Sequence, residues 1–160
     1  MTKTFSIGHG FDVHRLRRGR KLVLGGVPIA HGRGLVGHSD ADVVLHALIN
    51  AILGALGEGD IGLHFPDNDS RYRNIASSQL LLTVLEMMRH KRYHLVNADV
   101  TLVAQEPKLS PYYPLMRRRV RELCKIAESC INIKATTTEK LGWVGAGKGI
   151  AATAVVLLGR

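Results

Sequence analysis

The sequence predicts one α/β (α+β) domain spanning residues 1–160, built as a mixed β-sheet with helices on one face. Three observations carry that expectation. Segments of helical and of strand period are mixed along the chain. Strand-like segments sit at both ends and enclose three helical ones. The 160 residues hold no repeat, low-complexity run or linker, and suffice to bury one core.

Residues 4–9 and 21–24 (KLVL) read as short strands, the second ending at Gly25 and Gly26. A helix begins after Ser39, where Ser39 and Asp42 form a Ser-x-x-Asp pattern close to a capping box. Leu45, Ile49, Ile52 and Leu56 recur along it at helical spacing, and Gly57 and Gly59 suit its end. A second helix fits residues 77–91, with Leu81, Val84, Leu85 and Met88 on one face. Residues 97–104 (NADVTLVA) alternate as a strand, and a third helix over 112–128 carries Met116, Val120, Leu123 and Ala127. Strands over 131–137 and 150–158 close the chain.

Apolar residues make up 46% and charged residues 22%, the balance of a globular chain rather than a disordered or fibrous one. Apolar runs such as LLLTVLEMM at 80–88 are broken well short of the roughly 18 residues that span a bilayer. The stretch MTKTFSIGHGFDVH lacks the apolar core of a signal peptide. A cytoplasmic protein without a membrane partner is expected, its Cys124 and Cys130 reduced. The formal charge of +9 raises the question of nucleic acid. Two basic clusters, around residues 15–21 and 117–121, come with only three Phe, four Tyr and one Trp to stack on bases. Solvated basic faces that attract a small anionic substrate are expected, with no nucleic-acid partner.

The chemistry begins at FDVHRL. Asp12 and His14 lie two apart, so in an extended segment both side chains point one way while Val13 faces the interior. On the first helix Asp42, His46 and Asn50 recur every four residues as a polar stripe, in which a carboxylate could orient the His46 imidazole. Asp12, His14 and His46 would make three ligands with a fourth position open, as in catalytic zinc sites. A surface hydrogen bond and a satisfied core histidine remain the plain alternatives. GDIGLHFPDND at 59–69 serves equally as turn chemistry or as a ligand loop. AQEPKLSP at 104–111 offers backbone groups and Lys108 at a strand end, and KATTTEKLGW at 134–143 offers three hydroxyls beside Glu139.

IGHGFDVH, GHSDADVVLHAL, GDIGLHFPDND, AQEPKLSP and KATTTEKLG together resemble the 2-C-methyl-D-erythritol 2,4-cyclodiphosphate synthase family over residues 5–158, five blocks in the family's order. The resemblance implies a homotrimer with active sites between subunits and a metal-dependent, CMP-releasing lyase of the non-mevalonate isoprenoid pathway. It implies zinc on Asp12, His14 and His46, with His38 and Thr137 stabilising the transition state. The resemblance also implies that Ser39 joins His38 at the substrate's 2-phosphate. Asp60, Ile61 and Gly62, then Phe65, Pro66, Asp67, Asn68 and Asp69, are implied to line the methylerythritol side. Ala104, Gln105, Glu106, Pro107, Lys108, Leu109 and Ser110 are implied to form the cytosine pocket, largely through backbone groups. Thr136, Thr137, Thr138 and Glu139 would touch the diphosphate, with Glu139 ligating magnesium or manganese; Val13, Trp143 and Ala146 complete the implied contacts.

Two positions depart from the family. Asn50 stands where Asp is usual, and GWVGAGKG at 142–149 replaces the usual GFTGRGEG. There Ala146 takes the place of a phosphate-facing Arg and Lys148 that of a Glu, in a segment that lines the family's trimer-axis cavity. Two other functions compete: a basic nucleic-acid binder with a closed, four-ligand structural zinc, and a zinc phosphohydrolase with water as nucleophile. The missing CxxC pair disfavours the first, and the reaction product would separate the second.

Overall fold

The computed structural model describes residues 4–160. Its main sheet has five strands, ordered β4 (Arg33–Val36), β1 (Phe5–Arg18), β7 (Gly149–Gly159), β5 (His94–Val103), β6 (Ile131–Thr136). Only the β5–β6 pair is parallel, so the sheet is mixed. β2 (Leu22–Leu24) and β3 (Val27–Ile29) form a separate two-stranded ribbon. The helices are α1 (Val43–Leu56), α2 (Ile61–His64), α3 (Ser77–His90), α4 (Tyr113–Cys124) and α5 (Gly142–Gly145). α1 packs on β1 and β7, α3 on α1, and α4 on β6.

β1, at 14 residues, is more than twice the strand expected over residues 4–9, because Gly10 does not end it. A Cβ at Gly8 would stand 1.8 Å from the Ala51 carbonyl oxygen, and one at Gly10 would stand 2.0 Å from that of Ala47. The two glycines are where the α1 backbone lies directly on the sheet. Apart from His46 and Asn50, α1 is apolar all round, as suits a helix enclosed between a sheet and α3. Leu45, Leu48, Ile49, Ile52 and Leu53 are fully buried there, each contributing roughly 2 kcal/mol.

Its start differs from the expected Ser39 cap. Asp42 is the N-cap, accepting from the Val44 and Leu45 N–H groups at 3.1 and 3.2 Å. It also accepts from Gly25 and Gly26 at 2.9 and 2.6 Å, which fastens the β2–β3 turn to the helix. Burial pushes the Asp42 carboxyl up to about 6 against these donors. Gly57, at φ 72°, ends the helix as anticipated. α4 stops at Cys124, four residues early, because Lys125 turns left-handed at φ 56°. β4 was not anticipated: four residues cut short by Gly32 and Gly37 carry little strand signal.

Side chains at even positions of β1 face the helices and those at odd positions face away. Val13 is therefore 44% exposed, not interior as its alternation with Asp12 and His14 suggests. Phe5, Ile7, Phe11 and, on β7, Val155 share that outer face, each about half exposed or more.

Candidate active site and metal centre

β1 brings Asp12 and His14 to the helix side of the sheet, and the contact at Gly8 and Gly10 brings α1 close enough for His46 to meet them. Asp12 Oδ2 lies 3.0 Å from His14 Nε2 and 3.0 Å from His46 Nδ1, and those two nitrogens are 3.2 Å apart. The stereochemical expectation for these three residues holds, although they come from two separate segments. Among the described residues no other His, Cys, Asp or Glu joins the cluster, which leaves an open side.

The donor set fits a divalent cation. His14 Nδ1 donates to the Val36 carbonyl at 2.8 Å, so once the ring is neutral its Nε2 lone pair is free for a cation beside Asp12. Burial alone would raise the Asp12 carboxyl, but its hydrogen bonds to His14 and His46 outweigh it and hold the group well below the usual carboxylate range. Burial opposes charge on His14 as well, yet Asp12, the Val36 carbonyl and Asp67 raise its pKa above 6.5. This concave pocket demands positive charge, from a proton or from a metal ion.

Asp42 does not orient His46, contrary to the expected helix stripe, because its oxygens are taken by the cap and the Gly25–Gly26 turn. Ser77 does so instead: its Oγ is 2.8 Å from His46 Nε2, with Ser39 Oγ at 3.2 Å. Nothing in the periodicity of residues 77–91 marks Ser77, since a serine opening a helix reads as ordinary. Asn50 turns from the stripe to the loop, accepting from the Ile61 N–H at 2.9 Å. An amide serves there as well as a carboxylate for the acceptor role.

Above the cluster lies a cavity of about 560 Å³. His38, Ser39, Ile61, Gly62, Phe65, Pro66, Asp67 and Asn68 line it with Asp12, His14 and His46. Tyr72, Ile75 and Leu80, which sequence reasoning did not single out, supply its apolar wall. His38 Nε2 donates to the Asp69 carbonyl at 3.2 Å, tying this imidazole to the 60–69 loop. The Asp60 and Asp69 side chains point elsewhere: Asp60 caps α2, and Asp69 pairs with Arg71 at 2.6 Å.

A second cavity of about 270 Å³ is lined by Ala104, Gln105, Pro107, Lys108, Leu109, Ser110, Thr136 and Thr137, with Tyr113 and Ala135 added. Gln105 accepts from the Lys140 N–H at 3.2 Å, joining the two loops expected to share a ligand. Glu106 leaves the pocket for Arg33, 3.7 Å away. Thr137 Oγ1 donates to Glu139 at 3.1 Å, on an exposed turn where Glu139 and Lys140 both have positive φ. Thr138, Glu139, Trp143 and Ala146 line neither cavity. The two cavities share no residue, so within one chain the expected substrate contacts form two half-sites. Cys124 and Cys130 are free thiols, as anticipated.

Residues 5–159 match the YgbB family. The 2-C-methyl-D-erythritol 2,4-cyclodiphosphate synthase of Geobacillus kaustophilus is 56% identical, covering 96% of this chain and 98% of its own. That of Syntrophotalea carbinolica is 57% identical over 96% and 94%. Among solved structures, a 2C-methyl-D-erythritol-2,4-cyclodiphosphate synthase in a CDP-bound form superposes with a TM-score of 0.88 at 38% identity, covering 95% and 99%. The bifunctional IspDF of Campylobacter jejuni superposes at 0.96 with 41% identity, 99% of this chain matching 43% of that one.

Proposed function

This chain belongs to the YgbB family, and from that membership we infer that it works as a 2-C-methyl-D-erythritol 2,4-cyclodiphosphate synthase. Its substrate is 4-diphosphocytidyl-2-C-methyl-D-erythritol 2-phosphate. An oxygen of the 2-phosphate attacks the β-phosphorus, the bond to the α-phosphate oxygen breaks, and CMP leaves with that electron pair. The products are CMP and 2-C-methyl-D-erythritol 2,4-cyclodiphosphate. The observation that carries this reading is the meeting of Asp12, His14 and His46 on one side of a cavity that also presents His38 and Ser39.

Zinc held by Asp12, His14 and His46 would supply Lewis-acid charge beside the β-phosphate. The chain's own part is positioning. Intramolecular attack needs no protein nucleophile, so rate enhancement comes from holding the two phosphates in line and balancing their charge. His38, fixed by the Asp69 carbonyl, and Ser39 face the 2-phosphate; Ile61, Gly62, Phe65, Pro66, Asp67 and Asn68 enclose the methylerythritol carbons. The second cavity, with Lys108 and the backbone of residues 104–110, takes the cytidine end. Thr136, Thr137, Thr138 and Glu139 reach the diphosphate, and Glu139 would hold magnesium or manganese, which would supply charge to the departing phosphate.

The working enzyme is a cytoplasmic homotrimer whose active sites lie between subunits. Two features support this: the substrate contacts are divided between two cavities of one chain, and the outer sheet face exposes Phe5, Ile7, Phe11, Val13 and Val155. Val13, Trp143 and Ala146 then approach substrate or the trimer axis from that assembly. No helix is long and apolar enough to cross a membrane among the described residues.

The test is incubation of the purified protein with the cytidine substrate, Zn²⁺ and Mg²⁺ under phosphorus NMR. A cyclic diphosphate with equimolar CMP is expected. A linear phosphate in its place would mean hydrolysis by water and would overturn the synthase reading.

A further inference from the structure

His46 can bind a cation through Nδ1 only if its proton sits on Nε2, and the choice of tautomer is made by what surrounds Nε2. That surrounding is a closed chain of hydrogen bonds. Asp40 Oδ1 accepts from the Ser77 N–H at 3.2 Å, from the Asp42 N–H at 3.3 Å, and from the Ser77 hydroxyl in a short contact. A carboxylate oxygen only accepts, so the single Ser77 hydroxyl proton is committed to Asp40. Toward its other neighbours Ser77 Oγ can then only accept. One of those neighbours is His46 Nε2, 2.8 Å away; the other is Ser39 Oγ at 3.3 Å. Ser77 has no exposed surface, His46 and Ser39 have 7% and 6%, and water has little room to substitute for any member.

We propose that Ser77 and Asp40 are positioning residues that hold His46 as the Nε2–H tautomer when a cation is bound, so that Nδ1 is left to the ion and gives up the proton it otherwise shares with Asp12. The inference rests on the reading of Asp12, His14 and His46 as a metal centre and adds two residues that touch neither metal nor substrate. Asp40 reaches the centre at one remove, through Ser77. Its place is set by the backbone: Asp40 N–H donates to the Ile75 carbonyl at 3.1 Å, which seats it at the α3 N-terminus beside Ser77. The arrangement has a direction, from Asp40 to the cation, and reversing the Ser77 hydroxyl would reverse it. Asp40→Asn makes that reversal possible, because the new amide can donate to Ser77 Oγ and release the hydroxyl proton toward His46 Nε2. Ser77→Ala removes the acceptor, leaving Nε2 with Ser39 alone.

Two measurements test this on the full-length protein. In the first, ¹⁵N histidine spectra of Zn²⁺-loaded wild type report which ring nitrogen carries the proton. At His46 an Nε2–H that exchanges slowly with water is expected; a ring bound through Nε2, or an Nε2–H that exchanges freely, would overturn the proposal without any variant having to fold. In the second, Zn²⁺ affinity is read by competition with a chromophoric chelator. Ser77→Ala and Asp40→Asn should each weaken it roughly 10–100-fold, and each should speed exchange of the His46 Nε2 proton. Variants that fold and bind Zn²⁺ within twofold of wild type would overturn the role. A wild type that takes up no Zn²⁺ would overturn the metal reading and this role with it; normal uptake with a freely exchanging Nε2–H would overturn the relay alone.

Discussion

Asp12 and His14 hold one another in opposite senses with pH. Asp12, depressed below its unfolded 3.8, contributes stability that is present above that value and lost as pH falls through its folded pKa. His14, raised above 6.5, contributes stability that is complete below 6.5 and lost as pH rises through its folded pKa. The metal-free centre should therefore weaken in alkaline solution, while the ion competes best there because no proton opposes it. The rise in melting temperature caused by Zn²⁺ is expected to grow from about pH 6 to about pH 8, measured by scanning fluorimetry. A rise that shrinks with pH would mean the ion binds elsewhere. His46→Ala should end both Zn²⁺ uptake and turnover while circular dichroism keeps its folded form, since the helix around it is closed by apolar contacts. The cysteines differ as sharply. Burial pushes the Cys124 thiol up to about 12, so iodoacetamide should label Cys130 and leave Cys124 unmodified in the native protein.

The contact between β1 and α1 decides whether the three ligands meet. At Gly10 a methyl group would press on the Ala47 backbone, which can yield only if the helix moves. Gly10→Ala should cost about 1–3 kcal/mol from overpacking. That corresponds to a fall of roughly 2–12 °C in melting temperature, and Zn²⁺ binding should weaken with it. Gly57→Ala is the control. Its φ of 72° strains any side chain by about 1–2 kcal/mol, yet nothing lies within 4 Å of the added carbon, so stability should fall and metal affinity should not. Equal losses of affinity in both variants would show that helix position is not what assembles the centre. The three long helices were legible because their periodicity is long, and the end of α1 because its stop is a glycine, whereas α4 was overrun because its stop is Lys125. β4 and the cap were not, because four residues carry no period and Ser39 and Asp42 are both good caps; the Gly25–Gly26 turn, distant in sequence, settles the choice.

On the scale of the whole molecule, the sheet has one face under helices and one carrying exposed apolar side chains. A homotrimer that covers this face predicts a solution mass near three times the 17.5 kDa of the chain. Ile7→Asp, at a residue 73% exposed in the single chain, should shift the mass toward one subunit in light scattering. It should also lower turnover sharply, because the two cavities would no longer face each other across subunits. A fully active monomer would remove the intersubunit site. The same face misled the reading of β1. Large apolar residues at odd positions argue for an interior face, and even positions carrying glycine, Asp and His argue for an exposed one; the chain does the reverse.

The amino-acid order alone determined the layered class, the three long helices, the identity of Asp12, His14 and His46 and the loops at 59–69, 104–111 and 134–143. These are properties of spacing and residue type, which survive without knowledge of what packs where. The tertiary structure alone decided that glycines at 8 and 10 admit the helix, that Asp42 caps while Ser77 and Asp40 support His46, and that Val13 faces outward. Each of those depends on a neighbour tens of residues away, and a hydrogen bond or a close approach chooses its partner by distance in space rather than by separation along the chain.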